Sequence, residues 1–383
     1  MTALAISARE RRTILVVLVA GAFVAGVGFG AMHPLITLLL EQQGLSDTLI
    51  GLNATLMNVA ILVGGPFVPR IVRALGPFNV LALNVALDVT LTLLYPTVEV
   101  YTAWCFFRFL WGLVGVQWWV ITESWINLLA QDSNRTRVVG LYTAMLSLGM
   151  AVGPFVIAET GIDGYSPWFA ILGLLLLGAL PVLGVARTIP VVAHDENLRA
   201  FALVRRAPLV VVAAIVGGFA DFAIMSLLPL YGLAHGLAQT DAATMLSAFT
   251  LGNVCLQMPI AWFADKVSRG SALVLCAVVT IACSIALPFA VADSVMLWIV
   301  LFLWGGVVFA VYMVTLGMLG AAFGPAELVA ANAAFIVLYN VGGVVGPLGT
   351  GALMDAWSPE GLPTVVAVAM AIVLGFMVAR RAR

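Results

Sequence analysis

Four ionisable side chains, Asp88, Arg108, Glu123 and Asp221, lie inside long apolar stretches of this sequence. Holding a charge in a membrane interior costs about 3 kcal/mol or more, so residues of this kind are candidates for function. A buried carboxylate can exchange a proton, and a buried guanidinium can bind an anionic group or keep a carboxylate ionised until a proton arrives. These residue types therefore indicate proton exchange and ion pairing rather than covalent catalysis.

Asp221 is the first candidate for a proton-coupling site. Its apolar stretch, residues 208–233, contains no lysine or arginine, and a carboxylate without a cationic partner in a low dielectric favours its protonated form. Two other interpretations stay open: the carboxylate is hydrogen-bonded to Asn253 or Gln257 of the next stretch, or it remains protonated throughout.

Asp88 and Arg108 are predicted to form a buried ion pair. Each lies about ten residues from the turn between their stretches, so at about 1.5 Å per residue both reach a depth of roughly 15 Å on neighbouring antiparallel helices. The pair either specifies packing or takes part in proton coupling, and Arg108 is also a candidate counter-charge for an anionic substrate. His33, beside Pro34, is interpreted as a packing residue.

Further polar and aromatic side chains in the apolar stretches are predicted to line a substrate-binding cavity. Together with Arg108, the set consists of Asn53, Gln117, Asn253, Gln257, Asn340, Trp111 and Tyr339. Polar residues in membrane helices also bridge one helix to another, and for the neutral members that alternative stays open.

The elements that must hold these residues are membrane helices. The 383 residues are 63% apolar and 9% charged, with a net charge of −1, whereas a soluble domain is about a quarter charged. This composition excludes a soluble enzyme, and the lack of a basic field excludes nucleic acid as a partner. The four cysteines form no CxxC pair and have no histidine nearby, so neither a metal nor another cofactor is predicted.

Charged or Pro/Gly-rich joints divide the chain into twelve stretches of about the length that a membrane crossing needs. No stretch alternates with period two, so the sequence predicts an all-α membrane protein with twelve transmembrane helices. The predicted spans are residues 13–40, 48–69, 78–95, 101–130, 138–158, 166–186, 208–233, 242–264, 271–291, 295–322, 326–353 and 363–379.

The distribution of charge predicts the orientation of these spans. Sixteen of the 17 lysines and arginines fall on one side of the membrane if the count of spans is right, and that side is expected to be cytoplasmic. Both termini then lie in the cytoplasm. Glu123 lies near the cytoplasmic end of its span, at the depth of four arginines, and is predicted to form ion pairs that close the cytoplasmic gate. The arginines are Arg70, Arg73, Arg135 and Arg137.

The sequence also repeats itself at an offset of 193 residues. Phe-Leu-Trp-Gly at 109–112 recurs at 302–305, and the GxxxGP pattern at 149–154 recurs at 342–347. Two six-helix bundles of like orientation are therefore predicted, covering residues 1–187 and 208–383, with a cytoplasmic linker at 188–207. The paired glycines allow close helix contacts, and two interpretations stay open: a rocking interface between the two bundles, or static packing.

These features resemble the major facilitator superfamily over nearly the whole chain. Asp265, Lys266 and Arg269 are similar to that family's cytoplasmic loop signature, which the resemblance places at the gate. The loop after the second span is degenerate, with Pro69 where the family usually has an aspartate. Glu-Ser-Trp-Ile-Asn at 123–127 is similar to a bacterial branch of the superfamily, and GxxxGP resembles a motif associated with antiporters.

The combined pattern predicts a secondary transporter that moves a small organic solute by alternating access, coupled to protons. Export is favoured; proton-linked uptake of a small organic anion and a non-transporting solute sensor are the alternatives. The protein is expected to be a monomer in the cell (inner) membrane, with the proton, the solute and the lipid bilayer as its partners. The sequence contains no GxxxxGK[ST], HExxH or GxSxG pattern, so neither ATP-driven transport nor an intramembrane enzyme is predicted.

Overall fold

The computed structural model describes residues 7–129, 135–187, 206–323, 325–357 and 359–381. Within these ranges, twelve helical segments are long and apolar enough to cross a membrane. This finding confirms the predicted count of spans. The predicted linker at 188–207 lies almost entirely outside the described residues.

The spans are numbered here in chain order. The helices that form them are Ala8–Gln42 (span 1), Asp47–Gly64 with Val68–Leu75 (span 2), Pro77–Leu94 (span 3), Tyr101–Leu129 (span 4), Arg135–Thr160 (span 5), Ser166–Ala186 (span 6), Pro208–Ala234 (span 7), Gln239–Lys266 (span 8), Arg269–Ala290 (span 9), Ser294–Ala322 (span 10), Pro325–Ala356 (span 11) and Gly361–Arg381 (span 12).

Span 2 continues further than its sequence suggests. A 3-10 turn at Gly65–Phe67 interrupts it, and the helix then resumes as Val68–Leu75. Pro66 and Pro69 each lack a backbone N–H, so both fit in the first turn of a new helical segment, where that donor has no partner. The prolines therefore interrupt the span, and the predicted end at residue 69 is wrong.

Polar side chains at the ends of several spans satisfy the free N–H groups of the first turn. Asp293 caps span 10, accepting hydrogen bonds from the backbone N–H of Val295 at 2.9 Å and of Met296 at 3.1 Å. Ser46 caps span 2 in the same way through the N–H of Leu49. Span 2 has a second capping group at this end, the carboxylate of Asp355, which comes from the other bundle.

The helices form two six-helix bundles with matching internal contacts. Span 1 packs on span 5 as span 7 packs on span 11, span 2 packs on span 4 as span 8 packs on span 10, and span 3 packs on span 6 as span 9 packs on span 12. Between the bundles, span 2 packs on span 11 and span 5 packs on span 8. This pairing is the pseudo-symmetry that the 193-residue repeat predicts.

The repeated glycines pack inside each bundle and not between the bundles. A Cβ atom on Gly149 would lie 2.0 Å from the carbonyl oxygen of Phe23 in span 1, and a Cβ on Gly342 would lie 2.0 Å from that of Ile215 in span 7. Their interpretation as part of a rocking interface is therefore wrong. They fix the spacing of neighbouring helices within one bundle.

The apolar core shows which end of the molecule is closed. In the half away from the termini, one continuous cluster joins Leu35 and Ile50 of the first bundle to Leu227 and Phe249 of the second. Towards the termini the first bundle has its own cluster around spans 1, 3, 4 and 6, and the second bundle has another around spans 7, 10 and 11. The apolar cores of the two bundles are therefore continuous at one end, called here the closed end, and separate at the other, called the open end.

Candidate functional site

Asp221 lies at the middle of span 7, where its side chain is only 7% exposed. The hydroxyl of Tyr339 in span 11 donates a hydrogen bond to Oδ2 of this carboxylate at 2.7 Å. Oδ1 is also buried and has no hydrogen-bond partner among the described residues. The donor is thus a tyrosine of span 11, and the predicted alternative donors in span 8, Asn253 and Gln257, make no such bond.

The position of Tyr339 is fixed by its backbone and by its ring. A Cβ on Gly218 would lie 1.9 Å from the Tyr339 carbonyl oxygen, so spans 7 and 11 are in direct backbone contact beside the carboxylate. The Tyr339 ring meets Tyr312 edge-on at 4.8 Å between centroids and lies 6.0 Å from Phe222. Because glycine permits this approach, the hydroxyl is held in place over Asp221.

Glu123 faces the second bundle from the last two turns of span 4. Glu123 is exposed and lies near Tyr142 in its own bundle and Tyr312 in the other. Tyr312 contacts Tyr339, so Glu123, Tyr312, Tyr339 and Asp221 follow one another from the open end towards the centre. The side chains of two predicted gate partners of Glu123, Arg135 and Arg137, lie outside the part of the structure that is described.

Arg108 does not form the predicted ion pair with Asp88. Its side chain is 1% exposed, Nη2 lies 2.9 Å from Nδ1 of His33, and the guanidinium carbon lies 5.1 Å from the centre of the Trp111 ring. No carboxylate oxygen of a described residue lies within 4.0 Å of its nitrogens, and Nε and Nη1 are buried without a hydrogen-bond partner. Helical rise predicts the depth of a residue but not the face of the helix it occupies, and here His33 takes the place expected for Asp88.

Asp88 instead lines a cavity inside the first bundle. The cavity has a volume of about 110 Å³ and lies between spans 1, 2, 3, 4 and 6. Its wall includes Phe29, Trp111, Trp118 and Trp119, and Asp88 is the one charged side chain among its lining residues. Trp111 is the only member of the predicted substrate-binding set that lines it.

Among the described residues, no hydrogen bond joins the neutral polar side chains of that set to one another. Gln117 and Asn340 donate to carbonyl groups of their own helices, at Leu113 and Ile336. The amide of Asn53 lies 3.7 Å from the sulfur of Cys105, a hydrogen bond between spans 2 and 4. Asn253 is buried and Gln257 is exposed. A hydrogen bond to its own helix satisfies a side chain locally, and none of these residues lines the cavity of the first bundle.

The predicted gate residues of the loops lie at the open end and are exposed. Lys266 lies 4.2 Å from the centre of the Trp262 ring, and Arg70 lies 5.9 Å from that of Phe67. Both are contacts within one helix turn of the same bundle. Arg73, Asp265 and Arg269 are also exposed, so the gating role of this set stays a prediction.

The closed end contains a contact that sequence reasoning missed. Asp355, in the last turn of span 11, accepts hydrogen bonds from the backbone N–H groups of Asp47 at 2.9 Å and of Thr48 at 3.0 Å, and from the Thr48 hydroxyl. A Cβ on Gly351 would lie 2.2 Å from the Asp47 carbonyl oxygen. A carboxylate of one bundle therefore caps a helix of the other, and no local sequence signal links residues some 300 positions apart.

Three more hydrogen bonds between the bundles lie in the same half of the molecule. The Thr37 hydroxyl donates to the carbonyl of Ser226 at 3.0 Å, which joins spans 1 and 7. Thr55 and Asn58 of span 2 donate to carbonyl groups of span 11 at 2.9 Å and 3.1 Å. Because these bonds must break if this end opens, they contribute to the stability of the closed state.

Known proteins share this sequence pattern and this architecture. The family model of the Major Facilitator Superfamily matches residues 18–347. YfkF of Bacillus subtilis, an MFS-type transporter, is 23% identical over 378 residues, with 94% of each chain covered. YcaD of Salmonella paratyphi B, another MFS-type transporter, is 25% identical over 358 residues, with 92% of each chain covered.

Solved structures have the same fold. A point mutant of the nucleoside transporter NupG superposes with a TM-score of 0.79 at 13% identity, covering 96% of this chain and 99% of the other. A bacterial homologue of the human lysosomal transporter Spinster, in an inward-facing and occupied conformation, superposes with a TM-score of 0.73 at 14% identity, covering 98% and 96%. These likenesses confirm the predicted fold of twelve transmembrane helices in two pseudo-symmetric bundles.

Proposed function

We propose that this chain, which belongs to the major facilitator superfamily, couples the movement of protons to export of a small organic solute by alternating access. Its relatives YfkF and YcaD are membrane transporters rather than enzymes. The observation that carries this proposal is the Asp221 carboxylate. It is buried in the membrane interior, it has one tyrosine donor and one unpaired oxygen, and no cation neutralises it within the described residues.

Alternating access is supported by the asymmetry of the two ends. Hydrogen bonds and backbone contacts join the bundles in the half away from the termini, and the apolar cores are separate in the other half. With the termini in the cytoplasm, as the basic residues predict, this is the inward-facing conformation. Transport requires the joined end to open and the separated end to close.

Span 11 offers a physical connection between proton binding and this exchange. It carries both Tyr339, which donates to Asp221, and Asp355, which caps span 2 of the other bundle. A tyrosine hydroxyl that donates to a carboxylate interacts most strongly with its ionised form. Binding of a proton by Asp221 therefore weakens the link between spans 7 and 11, and changes the position of the helix that closes the outer end.

Uptake of a small organic anion is a second candidate, and one observation favours it. Arg108 is almost fully buried, yet Nε and Nη1 have no hydrogen-bond partner among the described residues. A buried guanidinium in this state gains from contact with an anionic group. An anion is not the preferred solute, because Arg108 does not line the cavity of the first bundle, whereas Asp88 does; the preference for export rests on the resemblance of GxxxGP at 149–154 to a motif associated with antiporters.

The test is solute flux in proteoliposomes with and without an imposed pH gradient. The full chain is reconstituted, a panel of small organic cations, anions and neutral solutes is supplied, and the vesicle contents are measured by mass spectrometry. Asp221→Asn is expected to abolish the dependence of flux on the gradient, because an amide exchanges no proton. Asp241→Asn, at an exposed carboxylate in the first turn of span 8, is the matched control. Gradient-dependent flux that survives in Asp221→Asn contradicts the assignment.

A further inference from the structure

We propose that the cavity of the first bundle binds a small organic cation, either a quaternary ammonium or a protonated amine that carries one ring or a branched apolar group. This inference deepens the proposed function by naming a substrate class. It rests on four features of the cavity: the single carboxylate in its wall, which is Asp88, the lack of a hydrogen-bond partner for one oxygen of that carboxylate among the described residues, the aromatic wall and the size.

The wall of the cavity contains an acidic side chain and no basic one. Of the 21 residues around the cavity, Asp88 is the one acidic side chain, none is basic, and the rest of the wall is apolar apart from Thr92 and the indole N–H groups. Asp88 Oδ1 is buried and has no hydrogen-bond partner among the described residues. A carboxylate in this setting is costly unless a cation or donor reaches it, so a cationic ligand gains the interaction that the protein leaves unmade.

Arg108 is not the cation that pairs with the Asp88 carboxylate. Its guanidinium is bound to His33 and lies against the Trp111 ring, and it is absent from the cavity wall although Trp111 belongs to it. Arg108 therefore contacts the Trp111 ring but does not line the space beside Asp88. The guanidinium of Arg108 and the carboxyl group of Asp88 do not pair, and of the two only Asp88 lines the cavity.

The aromatic wall favours the same class of ligand. Phe29 lies 5.5 Å from Trp111 in a stacked arrangement and 5.5 Å from Trp119 in a tilted one, measured between ring centres. Trp118 also lines the cavity. Aromatic faces carry partial negative charge and attract ammonium groups, most strongly where water is excluded. The rings and the carboxylate therefore act on one ligand charge, and both disfavour an anion.

The cavity volume limits the ligand to a small molecule. Its space of about 110 Å³ is somewhat below that of an engineered protein cavity of about 150 Å³ that holds benzene. Met32 and Met57 lie in the wall, and methionine side chains adapt readily to the shape of a ligand. Because the cavity is partly open, a ligand larger than benzene can place its ammonium head in this space while its ring extends into the opening.

The experiment measures equilibrium binding to the purified full chain with no pH gradient. Radiolabelled phenyltrimethylammonium is the probe, followed by scintillation proximity. Unlabelled phenyltrimethylammonium, the uncharged analogue 2-phenyl-2-propanol and the anion benzenesulfonate are the competitors. We expect the cation to compete at least tenfold better than the neutral analogue and the anion not to compete.

Four variants distinguish an effect of charge on binding from an effect on folding. Asp88→Asn is expected to weaken cation binding at least tenfold and to leave binding of the neutral analogue unchanged, which also shows that the cavity is intact. Asp88→Glu keeps the charge and is expected to retain binding, while Asp241→Asn, with its exposed carboxylate, should bind as the wild type does. If Asp88→Asn does not fold, Trp118→Leu is expected to lower cation affinity by several fold.

Equal competition by the cation and the anion, or unchanged cation affinity in folded Asp88→Asn, would overturn the proposal. The outcome is independent of proton coupling, because Asp221→Asn is expected to bind the cation normally. Loss of gradient-driven flux with intact binding supports both proposals. Intact gradient-driven flux in Asp221→Asn would refute the coupling site and leave the cation site standing.

Discussion

Replacing Asp355 by alanine should shift the protein towards opening of its closed end. Asp355 accepts two backbone N–H bonds and one hydroxyl bond at the start of span 2. Loss of a carboxylate cap costs about 1 kcal/mol, and loss of its interaction with the helix dipole costs about 0.5 kcal/mol at an exposed position. Because the carboxylate comes from the other bundle, this free energy is lost from the contact between bundles and not from span 2 alone.

A change of about 1.4 kcal/mol alters an equilibrium constant about tenfold. We therefore expect the ratio of open to closed outer ends to rise by roughly tenfold in Asp355→Ala. Hydrogen exchange with mass spectrometry follows this ratio through peptides that cover residues 47–58 and 343–356, where protection should fall. Peptides within the bundle contact of spans 1 and 5 should exchange as in the wild type.

Asp293→Ala is the matched control, since Asp293 caps span 10 of its own bundle through two N–H groups in the same way. It should lower thermal stability and leave exchange at residues 47–58 unchanged. If both variants expose residues 47–58 equally, the effect is general destabilisation. If Asp355→Ala leaves exchange at this end unchanged, the contact does not hold the bundles together.

Three further substitutions test the packing. Gly351→Ala should increase exchange at the closed end and lower flux, because the new Cβ meets the Asp47 carbonyl oxygen, whereas Gly349→Ala, with its nearest atom at 3.8 Å, should do neither. Gly149→Ala should lower the midpoint of thermal unfolding by several degrees, because span 1 must move away; Gly28→Ala, with no atom within 4 Å, should not. His33→Phe removes the hydrogen bond of Arg108 and should cost about 1–3 kcal/mol of stability in chemical unfolding, and a second change, Arg108→Met, should recover most of it.

The features that depend on local sequence were predicted well. Hydropathy over about 20 residues gave the twelve spans, because the membrane requires an apolar helix wherever the chain crosses it. The 193-residue offset gave the two bundles, because residues that repeat in sequence occupy equivalent positions in both. The end of span 2 was misplaced, since prolines at the start of a new helical segment look the same in sequence as prolines that end a helix.

The features that depend on helix rotation and on distant pairs were predicted only in part. The sequence identifies Asp221 and Tyr339 each as a functional candidate but does not pair them: the hydrogen-bond donors considered for Asp221, as an alternative to an unpaired carboxylate, lie in span 8. Asp88 and Arg108 were assigned to one ion pair, and the structure places Asp88 at a cavity and Arg108 beside His33. The sequence does not predict the contact of Asp355, because its partners are backbone N–H groups at the N-terminal end of a helix, and every helix has such groups.

The arrangement of the contacts between the bundles has a consequence for assembly. Every hydrogen bond described here between the two halves joins segments far apart in sequence, and none depends on the peptide that runs from residue 187 to residue 206. The two halves, produced as separate polypeptides and cut within that segment, should therefore find each other in the bilayer and copurify. Asp355→Ala should weaken this reassociation, since in a divided protein the same capping carboxylate acts as an intermolecular contact.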